Sequence, residues 1–192
     1  LRKQAILLID GEYLKKVWNY YTNSLKENSK IKLDFKKLVE VTSRITKDDI
    51  EILRNYYYSA PPFDDGEEKY KKLKSNFDRF ISSLEKINFF EVKLGRTQKI
   101  NDSDGNPIFT QKGVDVQFAI DLIKWGLNNR VSVLILITGD SDFVPAINYV
   151  KDQGKHVYLL TGEDSKTYNE NLINSVDLHI IMNKDFFEDI KS

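Results

Sequence analysis

Five apolar residues in an unbroken row, Ala5 to Ile9, stop abruptly at Asp10 and Gly11. A hydrophobic run with no polar alternation suits a strand covered on both faces, as in a parallel sheet held between helices. The pattern recurs along the chain in "IEILRNYYYSA" (50–60), which Pro61 and Pro62 stop, and then in "FFEVKLG" (89–95), 131–138, "KHVYLLT" (155–161) and "VDLHIIM" (176–182). Between these runs the spacing turns helical, over 13–21, 34–45, 67–87, 114–128, 143–153 and 167–174. Asp34 is placed to cap the second of these ahead of Leu38 and Val41. In 67–87, Tyr70, Leu73, Phe77, Phe80, Ile81, Leu84 and Ile87 recur every three or four positions and form one apolar stripe for core packing. Strands alternating with helices predict parallel pairing and right-handed crossovers. The expected fold class is α/β, a three-layer α/β/α sandwich around a mostly parallel central sheet. One domain is expected over 1–182, with 183–192 as a tail carrying an amphipathic turn at Phe186 and Phe187. The segment 101–113, "NDSDGNPIFTQKG", interrupts the rhythm and is turn-rich, with Asp104-Gly105 suited to a tight hairpin turn. Its "DSDGN" lacks the glycine and distal glutamate of a calcium loop, Pro107 standing where that glycine belongs.

Composition narrows the chemistry. With 192 residues, 41% of them hydrophobic, the chain can bury one core. Lys plus Arg and Asp plus Glu both number 29, so any polyanion must be drawn by a local patch rather than by net charge. The absence of cysteine excludes disulfides, thiolate zinc sites and a cysteine nucleophile, and fits a reducing compartment. No apolar run has the length of a bilayer span. A soluble, cytoplasmic protein without a membrane partner is expected, and a homodimer is left open.

The carboxylates then stand out by position. In an open parallel sheet, ligands bind beyond the carboxyl ends of the strands where strand order reverses. Asp10 ends the first strand, and Asp140 and Asp142 follow the strand 131–138, at the same edge. Asp115 opens a helix just after Gly113. Asp121, six residues on, is rotated from it by about a third of a circle at 3.6 residues per turn. Converging carboxylates coexist only if one is protonated or a cation neutralises them. Without His or Cys, such a cluster suits Mg²⁺ or Mn²⁺, ions that activate water and stabilise a leaving oxygen in phosphodiester cleavage. The competing reading is that Asp140 caps the helix near Phe143 and Asp142 sits solvated at its positive end. For the four together the metal reading prevails, because carboxylates gathered at one edge have a chemical use that separate caps lack.

Three blocks carry a family resemblance: "LLIDGEYL" (7–14), "KGVDVQFAIDLI" (112–123) and "ITGDSDFVPAINYVKDQGKHVYLL" (137–160). In this order they resemble the NYN domain proteins, specifically the LabA-like group of the PIN-domain nuclease superfamily, across the first 180 residues or so. The resemblance implies a PIN-like, Rossmann-like sandwich and metal-dependent ribonuclease activity on single-stranded or structured RNA, with endoribonuclease cleavage the expected mode. It maps the family's acidic positions onto Asp10, Asp115, Asp140, Asp121 and Asp142. One position departs: the family carries an Asn shortly after its first Asp, and here Tyr13 stands there. Glu12 could substitute as a ligand. For the phosphates of a substrate, Lys93, Arg96, Lys99 and Lys112 lead up to Asp115, while Lys69, Lys71, Lys72 and Lys74 read as a solvated helix face. Thr138 and Ser141 hydroxyls could orient water or ligands. Tyr56, Tyr57 and Tyr58 read as core before they read as a base-stacking surface.

Rival chemistries fare worse. A haloacid-dehalogenase-like phosphatase needs an Asp two residues after its nucleophile, where Glu12 stands. His156 and His179 lie in or beside strand-like runs and no "GxSxG" occurs, against a serine hydrolase. No two of the nine glycines are two apart, which removes both dinucleotide and P-loop fingerprints. The rival from another class is a non-catalytic RNA-binding or scaffold protein that keeps the fold, with Tyr13 as its symptom.

Overall fold

The computed structural model describes residues 2–25, 31–46, 48–103 and 105–192. Six strands form one sheet, and all five pairings are parallel: β1 (Lys3–Asp10), β2 (Ile50–Ser59), β3 (Phe90–Leu94), β6 (Val133–Ile137), β7 (His156–Gly162) and β8 (Leu178–Met182). Their spatial order is β3-β2-β1-β6-β7-β8. The chain winds outward from β1 to β3, then returns to the far side of β1, so strand order reverses between β1 and β6. That reversal opens a crevice at the carboxyl edge.

The unbroken apolar runs follow from this burial. Along β1, Ala5, Leu7 and Ile9 face one core, while Ile6 and Leu8 face the other. The first core is closed by α1 (Gly11–Ser24), α2 (Phe35–Ile45), α3 (Glu68–Leu84) and α7 (Lys184–Ile190) through residues such as Val17, Leu38, Leu84 and Phe187. The second is closed by α4 (Val114–Gly126), α5 (Val144–Asp152) and α6 (Glu170–Ser175), through Phe118, Ile147 and Leu172. The expected α/β/α sandwich is therefore present. Asp34 caps α2 as its position suggests, accepting from the amides of Lys36 (2.9 Å) and Lys37 (3.2 Å). The segment 183–192, read from sequence as a tail, carries α7, whose Phe186, Phe187 and Ile190 are buried in the first core.

The turn-rich stretch holds more than a turn. β4 (Arg96–Asn101) and β5 (Pro107–Lys112) pair antiparallel in a separate two-stranded sheet. Ile100, Ile108 and Phe109 on it remain exposed, so no buried face imposes the alternation that would announce strands. Asp104, half of the anticipated turn dipeptide, lies outside the described residues. Gly105 beside it has φ +82°, which favours glycine.

Candidate functional site

The crevice is assembled from strand ends and helix starts. Asp10 terminates β1 and caps α1, its Oδ1 accepting the Tyr13 amide at 3.0 Å. Its Oδ2 accepts from the Thr138 hydroxyl across the strand boundary at 3.2 Å. Fully buried Thr138 also receives the Asp140 amide at 3.2 Å, so one side chain ties the ends of β1 and β6 together. Asp140 in turn accepts the Asp142 amide at 2.8 Å and caps a short 3-10 turn, Ser141–Phe143, ahead of α5. The capping reading of Asp140 is therefore correct as local structure, and it leaves each carboxylate with lone pairs to spare.

Electrostatics join the four acids. Burial pushes the Asp10 carboxyl from 3.8 up to about 6, with the charge of Asp115 adding to the rise and the hydrogen bonds from Tyr13 and Thr138 only partly offsetting it. Asp115, on the first turn of α4, is raised by partial burial and then by the charges of Asp140 and Asp142. Among the described residues, no Lys or Arg forms an ion pair with any of these four. They are hard oxygen donors with uncompensated charge, which fits a hard divalent cation. They do not form a closed cage, since among the described residues no three acidic or histidine side chains stand close enough to hold an ion.

Asp121 is engaged elsewhere. It is buried and accepts the Tyr58 hydroxyl at 2.9 Å, and its charge is not among those acting on Asp10 or Asp115. Tyr58→Phe is expected to cost about 1–3 kcal/mol by removing a donor from a buried carboxylate, seen as a lower urea midpoint at unchanged slope.

Tyr13, at the position of the family's Asn, turns inward rather than toward the acids. Its hydroxyl receives the Gly162 amide and shares a hydrogen bond with Thr167, both at 3.2 Å. The ring lies against Gly139, where an added Cβ would collide with both Tyr13 and the Thr167 carbonyl. Gly139→Ala is thus expected to destabilise by about 1–3 kcal/mol, measurable by thermal melting beside an Ala substitution at Gly154, where a side chain meets open space but φ is +78° and the strain is purely local.

The basic residues divide. Arg96 and Lys112 are register partners across β4 and β5, and with Leu94, Gly95, Gly113 and Gln117 they line a groove of about 410 Å³; Gly113 and Gln117 flank Asp115 in sequence. Lys93 is drawn to Glu91 at 3.8 Å and to the face of Tyr56, while Lys99 is drawn to Asp65 at 3.9 Å and to Phe63. Glu12 is exposed and meets Lys15 at 4.0 Å, and Ser141 is half-buried in the 3-10 turn. Gln117, whose amide donates to the Leu94 carbonyl at 3.1 Å, was not legible from sequence as a groove residue. Its only signal is its place two residues after Asp115.

A parallel sheet of this strand order, with an acidic crevice at its reversal point, defines a Rossmann-like α/β protein. The NYN domain family model matches residues 4–183, and the chain belongs to that family, which is part of the PIN-like nuclease superfamily. Over 80 residues the chain is 30% identical to the uncharacterized protein MJ0482 of Methanocaldococcus jannaschii, a match covering 42% of this chain and 32% of that relative. Among solved structures, a Burkholderia thailandensis nucleoside kinase in complex with inosine aligns at TM-score 0.36 and 10% identity, over 93% of this chain and 60% of the kinase. A likeness that slight says nothing of function.

Proposed function

We propose that the chain is a metal-dependent ribonuclease that hydrolyses RNA phosphodiester bonds, cutting internally, with Mg²⁺ or Mn²⁺ held by Asp10, Asp115, Asp140 and Asp142. The observation that carries this reading is that Asp10, Asp140 and Asp142 stand at the strand ends beside the sheet's reversal point, that Asp115 acts electrostatically on Asp10 and is acted on by Asp140 and Asp142, and that among the described residues no Lys or Arg pairs with any of the four. Such an ion supplies activation of water and charge stabilisation at the departing oxygen. The chain's own groups do the rest. Thr138 fixes the orientation of Asp10 and of the Asp140 backbone. Arg96 and Lys112 hold phosphates of the incoming strand, with Lys93 and Lys99 available once released from their weak, exposed acidic partners. Ser141 and Glu12 border the crevice as contacts to substrate, and Asp121 supports α4 from behind through Tyr58.

The alternative, a non-catalytic RNA-binding or scaffold protein, draws on the inward-turned Tyr13, which leaves the crevice without the family's amide. The test is incubation of labelled single-stranded RNA, structured RNA and single-stranded DNA with Mn²⁺, Mg²⁺ or EDTA, for wild type and Asp140→Asn. Cleavage of RNA that requires metal and disappears in the variant is expected. RNA retained but never cut would establish the alternative instead.

A further inference from the structure

Beside the crevice, on the other flank of α1, lies a cleft that the acid cluster does not use. It measures about 190 Å³ and is lined by Leu14, Lys15 and Trp18 of α1, Leu33 and Phe35, Tyr57 of β2 and Phe80 of α3. Four of the seven lining residues are aromatic. Tyr57 and Phe80 pack edge to face at 5.7 Å, as do Phe35 and Tyr57, leaving ring surface toward the opening. Tyr57 is 6% exposed, lines the cleft, and its hydroxyl makes no hydrogen bond to any described residue. Unlike Asn55 Oδ1 and Trp125 Nε1, which are sealed without a partner among the described residues, this hydroxyl reaches solvent and can meet a ligand. The same phenol stands 2.6 Å from where a Cβ on Gly11 would be, next in sequence to Asp10, so the cleft adjoins the acidic edge directly.

The cleft continues into a wider groove sharing Trp18, Leu33, Phe35 and Phe80 and bordered by Lys32 and Arg79. With Lys15, three cations surround the combined opening and, among the described residues, no acidic side chain lines it. The inner cleft alone, at about 190 Å³, is below the roughly 300–1,000 Å³ of drug-sized pockets, which suits one flat ring, with the wider groove of about 690 Å³ left for the rest of the strand. A planar group with hydrogen-bonding edges, attached to an anionic backbone and reaching a phosphodiester-cleaving edge, matches each of these features.

We infer that this cleft receives one unstacked nucleobase of a single-stranded RNA, stacked among Trp18, Phe35 and Phe80 and hydrogen-bonded by Tyr57. This rests on the ribonuclease reading and names its substrate as single-stranded near the cut. Protein–RNA recognition commonly splays bases onto aromatic side chains in this way.

The experiment is an abasic scan. A fluorescent single-stranded RNA octamer, intact or with one base removed at each position in turn, is titrated with Asp140→Asn protein and anisotropy is read. Removal of one particular base is expected to weaken binding about 5- to 150-fold, the range of a single base–aromatic stack. Trp18→Ala should remove that positional dependence. Tyr57→Phe, which keeps the ring, should weaken the intact octamer about 2- to 10-fold and the critical abasic octamer not at all. A flat scan, or a critical base whose effect survives both substitutions, overturns the pocket while leaving metal-dependent cleavage standing. No binding of any octamer overturns both.

Discussion

Replacing Asp10 by Asn should abolish cleavage and, in EDTA, make the fold more stable at neutral pH. Burial is the leading cause of the rise in the Asp10 carboxyl. A carboxyl whose folded value is about 6 against 3.8 unfolded holds its proton more tightly when folded. That contribution to stability is complete below about pH 4 and is lost as pH rises through about 6. The difference corresponds to about 3 kcal/mol of strain carried by the ionised group at pH 7.5. Asn keeps Oδ1 to accept from the Tyr13 amide, and its Nδ2 can donate to the Thr138 hydroxyl, which turns from donor to acceptor. With the charge gone, urea denaturation should find it about 1–3 kcal/mol more stable than wild type at pH 7.5, with the two converging toward pH 4. An Asn variant less stable at pH 7.5 would mean that Asp10 serves the fold as a charged cap. Loss of a ligand that contributes several kcal/mol to transition-state stabilisation should lower the cleavage rate about 100-fold or more.

The largest loss of stability is expected at Phe118. Its ring stacks on Phe143 at 4.3 Å and lies 4.9 Å from Tyr58, fully buried in the second core. Phe118 is three residues past Asp115 and Phe143 one past Asp142, so this ring pair joins the two elements that present those carboxylates. Phe118→Ala should cost about 3–5 kcal/mol, a large share of the roughly 5–15 kcal/mol that holds a domain of this kind together. Cleavage should fall further than the folded fraction does, because α4 and the 3-10 turn lose their mutual register. Ile108→Ala on the exposed hairpin is the control, and a change there above about 1 kcal/mol would show that the hairpin packs in solution more closely than its exposure implies.

Sequence and structure agree where a local pattern had to be satisfied twice. The β1 and β6 runs read as doubly covered strands because every one of their central residues faces one core or the other. Asp10, Asp140 and Asp142 could be placed at one edge because a parallel sheet fixes which strand ends share a side. What the sequence hid depends on partners far along the chain. Asp121 sits at helical spacing from Asp115 and looked available, yet its partner is Tyr58, 63 residues away. Tyr13 stands where the family has an Asn, and its partners, Gly162 and Thr167, lie about 150 residues further on. The aromatic cleft was invisible because Phe80 read as one position in a core stripe and Tyr57 as one tyrosine in a buried run. Neither periodicity says where packing leaves a gap.

Whether the four carboxylates hold a cation, rather than merely cap helices, is decided most directly by calorimetric titration of Mn²⁺ into the purified chain at pH 7.5, beside Asp10→Asn and Asp140→Asn. Saturable binding that each substitution weakens at least about tenfold is the predicted result, with proton release when the titration is repeated near pH 6, where Asp10 is part-protonated. Absence of saturable binding by the wild-type chain, or binding indifferent to both substitutions, would contradict the account and leave Asp10 and Asp140 as caps and Asp115 and Asp142 as first-turn acids.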